Sequence, residues 1–286
     1  MRHFATLLIA MLAVACGAQA QEPKNENEKT PWPIEPKTER VEYMLVLDRM
    51  DHELMGEPCE VDSNFAEIYS EIVNEPQEKI VDGITSVNTE AIEAWHKFVW
   101  LCNEGREKEA IEFYAEDHIK VDMALRHSLV RYGFHNNIVG YMAYEHLDPN
   151  VADELMMDAL SLDFTIICFT YTMGGDESYL EVIDNICSIL VMMYQDNERY
   201  DDLLNLYDVW LDATGYDEYK DLLASVNYSR ANIYFYPKHD PETALKYLYE
   251  AKTNVEEYLA EGGEDQEMKE FLANVKKMIK VAKKQL

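Results

Sequence analysis

The fold is decided by the stretch Asp240-Pro-Glu-Thr-Ala-Leu-Lys-Tyr-Leu-Tyr-Glu-Ala-Lys252. Its Asp-Pro opening is typical of a helix start, because aspartate accepts hydrogen bonds from unpaired N–H groups and proline fits the first turn. Small and large residues then recur on one helical face, at Ala244, Leu248 and Ala251. In the segment before it, Ala231 and Tyr234 also share a face. The stretch therefore predicts a helical hairpin that stacks on another hairpin.

These residues resemble the repeat of the tetratricopeptide (TPR) family, a two-helix unit with glycine or alanine where the helices cross. Ala231 and Tyr234 occupy first-helix positions of that pattern, and the next helix matches its small-large-small order. Further matches lie at Leu190, Tyr194, Leu203, Tyr207 and Trp210, and weaker ones at Leu101, Ala110 and Tyr114. The units lack the family's terminal proline, and Tyr194 lies 40 residues before Tyr234, where the family repeats every ~34. The resemblance implies an all-α fold of stacked antiparallel helical hairpins, a TPR-like α-solenoid.

The pattern divides the chain into three segments. We predict a signal peptide over 1–20, an extended tether rich in proline and charge over 21–58, and an α-helical repeat domain over 59–286. Within the tether, the stretch from Val41 to Cys59 is compatible with a short helix or with a strand.

Three places in the repeat domain are less regular. Phe164–Thr172 is rich in β-branched and aromatic residues, which strands prefer. An unbroken helical pattern from Ala152 favours the end of a buried helix instead. Thr85–Asn88 is predicted to be a connecting loop, and Gly133 is predicted to separate two helices.

The N-terminus has the pattern of an export signal. A short basic start precedes an uncharged apolar run from Phe4 to Ala15, and Ala18-Gln-Ala20 resembles a cleavage site. This predicts a periplasmic or secreted protein whose mature chain begins near Gln21. The segment around Cys16 is also similar to a bacterial lipoprotein signal, in which lipid on that cysteine tethers the chain to the cell surface or outer membrane.

The charge excludes one class of partner. The chain has 25 Lys+Arg against 55 Asp+Glu, a net charge of −30. Such a surface repels phosphate backbones and anionic headgroups, so we expect no nucleic-acid binding. No apolar run after the signal is long enough to predict a transmembrane segment. Solubility by itself accounts for an acidic surface, which therefore does not indicate an acidic docking site.

The cysteines favour buried thiols. Export permits disulfides among the cysteines that follow Cys16, namely Cys59, Cys102, Cys168 and Cys187. Their spacing follows no disulfide framework, and three of them lie in apolar helical patterns. We therefore expect mostly buried thiols rather than disulfides.

No motif predicts catalysis. His118 and Asp122 lie four residues apart and supply half a metal site at most, so we expect them on a solvated surface. His127, His135 and His146 are scattered with no paired nucleophile, and apolar neighbours make the thiol of Cys168 unreactive. Phosphate-binding loops, His-Glu-x-x-His helices and Gly-x-Ser-x-Gly elbows do not occur. We predict no enzymatic activity, no metal and no cofactor.

Binding is the function that the repeat pattern favours. In repeat hairpins the first helices line a concave face, and residues one place past the packing positions point into it. The candidate contacts are Met192, Gln195, Tyr228, Asn232 and Phe235. Tyrosine and methionine suit adaptable surfaces, so we predict a scaffold for a protein or peptide partner. Three alternatives remain: these residues pack against the next hairpin, the protein is a ligand- or glycan-binding accessory (lipo)protein of the cell envelope, or dispersed acids and histidines form an active site.

Overall fold

The structure is a computed structural model, and it describes residues 40–54, 83–261 and 266–286. Within these residues the chain is helical and contains no strand, which confirms the predicted all-α class. The chain divides into two compact units, a first unit that ends at Ile186 and a second that begins at Cys187. The predicted signal peptide, the lipidation residue Cys16 and Cys59 lie outside the described residues.

The described helices occur along the chain in the following order. The first unit contains α1 (Arg40–Leu54), α2 (Gly83–Asn103), α3 (Glu107–Glu116), α4 (His118–Asp122), α5 (Ser128–Phe134), a π-helical turn (His135–Val139), α6 (Gly140–His146) and α7 (Pro149–Thr172). The boundary between the units falls within α8 (Glu177–Asp196). The second unit continues with α9 (Tyr200–Thr214), a 3-10 turn (Tyr216–Glu218), α10 (Lys220–Phe235), α11 (Pro241–Ala260) and α12 (Gln266–Ala282).

Capping residues explain where two of these helices begin. The Asp240 carboxylate accepts a hydrogen bond from the Thr243 N–H at 3.0 Å, and proline occupies the first turn of α11. Asp148 does the same for the Asn150 N–H at the start of α7. α7 continues to Thr172, so the helical prediction for 164–172 is confirmed and the strand alternative is wrong.

One open alternative is decided and two local predictions are corrected. The segment from Arg40 to Leu54, for which a short helix and a strand were both left open, is helix α1. Thr85–Asn88 lies inside α2 instead of forming a loop. Gly133 lies inside α5, and the chain keeps helical angles through the π-helical turn into α6. A glycine costs only about 1 kcal/mol inside a helix, which the packing of the surrounding residues can offset.

An aromatic cluster forms the centre of the first unit. The rings of Trp95 and Phe98 on α2 contact Phe134 at centroid distances of 5.2 and 5.5 Å. Tyr114 on α3 lies 5.8 Å from both Phe98 and Phe134. All four side chains are buried, and edge-to-face contacts of this kind add to the free energy gained by burial. The cluster places the Tyr114 hydroxyl at the end of α3 beside α4 and the π-helical turn.

The stretch 240–252 forms the start of α11 and contributes to the core of the second unit. α10 packs on α11, and α11 packs on α12. Ala231, Ala244, Leu248 and Ala251 are fully buried in one cluster with residues of α12 such as Phe271 and Val275. The alanines allow the helix backbones to approach closely, as the sequence pattern predicts.

Ala231→Leu should therefore destabilise the second unit. Added methylene groups in a packed interface typically cost about 1–3 kcal/mol. The exposed Ala273 on α12 supplies the matched control, since Ala273→Leu adds the same atoms where there is space. Urea unfolding followed by circular dichroism measures both variants, and an equal stability of the two would contradict the close approach of α10 and α11.

α7 also meets a simple criterion for a membrane-spanning helix. Among the described residues it alone is long and apolar enough by length and composition. Half of its most apolar window is buried inside the protein, and its Asp163 pairs with Arg131 and His135. Because buried core helices meet the same criterion, α7 is weak evidence for a membrane span.

Candidate functional site

A buried network of charged side chains lies beside the aromatic cluster of the first unit. Its members come from five elements: Tyr114 from α3, His118 and Asp122 from α4, Arg131 from α5, His135 from the π-helical turn and Asp163 from α7. Tyr114, His135 and Asp163 are fully buried, and Asp122 is 2% exposed. A π-helical turn changes the register of a helix, and such turns frequently occur at functional positions.

His135 is held between two carboxylates. Its Nδ1 lies 2.6 Å from Asp163 Oδ2, and its Nε2 lies 2.9 Å from Asp122 Oδ1. Both ring nitrogens therefore face acceptors, and only the imidazolium form donates a hydrogen bond to each. The geometry favours a positively charged His135.

Three other side chains complete the network. Arg131 Nε donates to Asp163 Oδ1 at 2.8 Å, and the Tyr114 hydroxyl donates to Asp122 Oδ1 at 2.9 Å. His118 Nδ1 lies 3.5 Å from Asp122 Oδ2. Its side chain is 25% exposed, so it connects the network to the surface.

The pKa shifts follow from burial and from these partners. Burial by itself lowers the pKa of His135, but the charges and hydrogen bonds of Asp163 and Asp122 outweigh it and raise the pKa to about 10. Burial raises the pKa of Asp122, but His135 and the hydrogen bonds from His118, His135 and Tyr114 lower it well below the usual range. Burial and the nearby Asp122 raise the pKa of Tyr114. Two carboxylates thus face two buried cations, His135 and Arg131, and the charges balance.

The groups of the network are positioned to join helices to one another. Its central groups are buried, so a substrate cannot reach them in this structure. Each hydrogen bond joins different elements of the chain, from α3 to α7. Buried and paired charges of this kind specify which helix faces meet, because any other arrangement leaves a charge unpaired.

Sequence reasoning missed this network. Asp122 was expected on a solvated surface and is buried. His135 was noted only as having no paired nucleophile, and its two carboxylate partners were not predicted. The signal that points to the network is Asp163, a charged residue within the apolar part of α7 between Leu160 and Phe164. A charge in such a position requires a buried partner of opposite charge.

The structure places the predicted binding residues in two groups. Met192 on α8 is 39% exposed, and Gln195 and Asn232 are half-buried. Tyr228 packs edge-to-face on Phe271 at 5.2 Å, and Phe235 is 6% exposed within the core cluster. Tyr228 and Phe235 therefore contact neighbouring helices. Binding at all five residues stays a prediction.

The described cysteines are buried thiols. Cys102, Cys168 and Cys187 form no disulfide and lie in the interior, as expected from their apolar neighbours. Burial, with a smaller effect from Asp184, raises the pKa of Cys168 to about 12. A thiol with such a pKa remains protonated at neutral pH and is a poor nucleophile, which agrees with the prediction from sequence.

Comparison with protein-family models, curated proteins and solved structures finds no match to this chain.

Proposed function

We propose that this protein is an exported scaffold of TPR-like helical hairpins that binds a protein or peptide segment in the second unit. The binding surface would include Met192 and Gln195 on α8 and Asn232 on α10. The export pattern at the N-terminus supports a periplasmic, secreted or lipid-tethered location. No catalytic step is part of the proposal.

The proposal rests on two amide side chains that contain hydrogen-bonding atoms without partners in the described part of the chain. Gln195 Oε1 and Asn232 Nδ2 have no hydrogen-bond partner among the described residues, although both atoms lie below the surface. Both side chains are half-buried. A buried polar atom without a hydrogen-bond partner typically lowers the free energy of unfolding by about 1–3 kcal/mol. Side chains retained at such a cost are candidates for ligand contacts.

A peptide main chain matches this chemistry. It presents an N–H donor and a C=O acceptor side by side, and an amide side chain can bond both at once. Met192 adds a flexible apolar contact three residues before Gln195, nearly one helical turn away. The neighbouring positions Tyr194 and Ala231 are buried.

The test compares binding with stability in the double variant Gln195→Ala/Asn232→Ala. A displayed library of random peptides is selected on the mature chain, and the affinities of the selected peptides are measured by calorimetry. We expect the double variant to lose at least about 10-fold in affinity, equivalent to about 1.4 kcal/mol. Its stability to urea should stay within about 1 kcal/mol of the parent, because the removed groups contain unbonded atoms.

The matched control is Asn254→Ala, which removes a half-buried amide from α11 instead of α10. It should bind the selected peptides as the parent does. Equal binding by the parent and the double variant would move the interface away from α8 and α10. A mature chain that selects no peptide but binds oligosaccharides on a glycan array would reject the scaffold in favour of the glycan-binding alternative.

A further inference from the structure

A second cluster of possible ligand atoms lies in the first unit and is formed by residues that are not members of the buried network. Glu107 is the first residue of α3, and Glu145 and His146 are the last two residues of α6. One ligand atom from each of the three residues lies within 4.8 Å of the other two. His146 Nε2 is 3.3 Å from Glu107 Oε2. This convergence depends on tertiary packing, because 39 residues separate the two side chains.

We propose that Glu107, Glu145 and His146 form a binding site for a divalent transition-metal ion of the zinc type. Zinc binds imidazole nitrogen and carboxylate oxygen at about 2.0–2.2 Å. Two ligands of a tetrahedral ion at that distance are about 3.3 Å apart, the separation found between His146 and Glu107. Three protein ligands leave a fourth position for water or another ligand, as in zinc sites that are not purely structural.

The surroundings suit such an ion. α3 and α6 pack against each other, so the Glu107 and His146 side chains are held at a defined distance. These side chains are 19% and 20% exposed, which shields them in part while an ion can still enter. Glu145 is exposed, and a change of its rotamer can bring the carboxylate to bonding distance. The imidazole ligand favours zinc, nickel or copper over calcium and magnesium, which prefer oxygen ligands alone.

The competing explanation is helix electrostatics. A carboxylate at the start of α3 and a histidine at the end of α6 each stabilise a helix dipole without any metal. The two explanations differ in one measurable respect: only the metal site binds an added divalent ion with one-to-one stoichiometry and dependence on His146.

The experiment is calorimetric titration of the chelator-treated mature chain with zinc chloride at pH 7.5. We expect one strong zinc site. His146→Gln and Glu107→Gln should each lower the zinc affinity at least about 10-fold, since even the loss of a residue that only hydrogen-bonds a metal ligand usually has an effect of that size. The matched control Glu112→Gln removes one charge from the exposed face of α3 and should leave zinc affinity unchanged.

Two outcomes overturn the proposal. One is the absence of a one-to-one site below millimolar zinc. The other is binding that His146→Gln does not alter or that calcium chloride reproduces with equal strength, since both would indicate a diffuse acidic surface. Circular dichroism verifies that each variant folds. If His146→Gln does not fold, Glu107→Gln is used in its place to test the site. The site lies in the first unit, so its test is independent of peptide binding in the second.

Discussion

Asp163→Ala should lower the free energy of unfolding by about 3–5 kcal/mol, the usual cost of removing one partner of a buried ion pair. Asp163 bonds Arg131 at 2.8 Å and His135 at 2.6 Å, and its side chain is fully buried. The substitution removes the carboxylate that Arg131 bonds and leaves His135 with Asp122 alone. A loss of this size is a large part of the 5–15 kcal/mol that typically stabilises a domain.

The matched control is Asp158→Ala, on the same helix but exposed. It removes the same charge and the same atoms, yet it should change stability by no more than about 0.5 kcal/mol. Urea unfolding at pH 7, followed by circular dichroism and by tryptophan fluorescence, measures both variants. If Asp163→Ala proves as stable as Asp158→Ala, the network does not hold the first unit together.

Raising the pH should destabilise the folded protein through His135. The pKa of this histidine is about 10 in the folded state and about 6.5 in an unfolded chain. Its contribution to stability is therefore complete below about pH 6.5 and is lost as the pH rises towards 10. Linkage gives a loss of roughly 3 kcal/mol between pH 7 and pH 9.5. The lowered pKa of Asp122 acts in the opposite direction, so its contribution is present above about pH 4 and is lost in acid.

The measurement is urea unfolding at several pH values between 6 and 9.5, with His135→Gln as the non-titrating comparison. The parent should lose stability as the pH rises, and the variant should lose much less over the same interval. Because the variant leaves two carboxylates without their shared cation, its folding at pH 7 is verified first.

A spectroscopic test does not depend on that variant. In the folded protein the His135 imidazole resonance should not shift between pH 6 and pH 8.5, whereas in the urea-unfolded chain it should titrate near 6.5. Titration of the folded resonance in the unfolded range would show that the two carboxylates do not hold the proton.

Local patterns were sufficient for much of the fold. The all-α class, the start of α11 at its Asp-Pro signal and the helical state of 164–172 were all predicted. Errors arose at Thr85–Asn88 and at Gly133, where residues with weak helix propensity lie inside helices. Propensities of single residues differ by only about 1 kcal/mol, so contacts with other helices decide such places.

The sequence by itself determined which faces of the helices are apolar, because a helix places residues three and four apart on one side. It therefore specified the alanine positions of α10 and α11 and the buried thiol of Cys168. Only the tertiary structure decided which polar residues meet. Asp122, His135 and Asp163 are separated by 13 and 28 residues, and Glu107 and His146 by 39. Contacts between residues so far apart in the sequence depend on how several helices pack together. Helical periodicity describes only the faces of a single helix and does not predict such contacts.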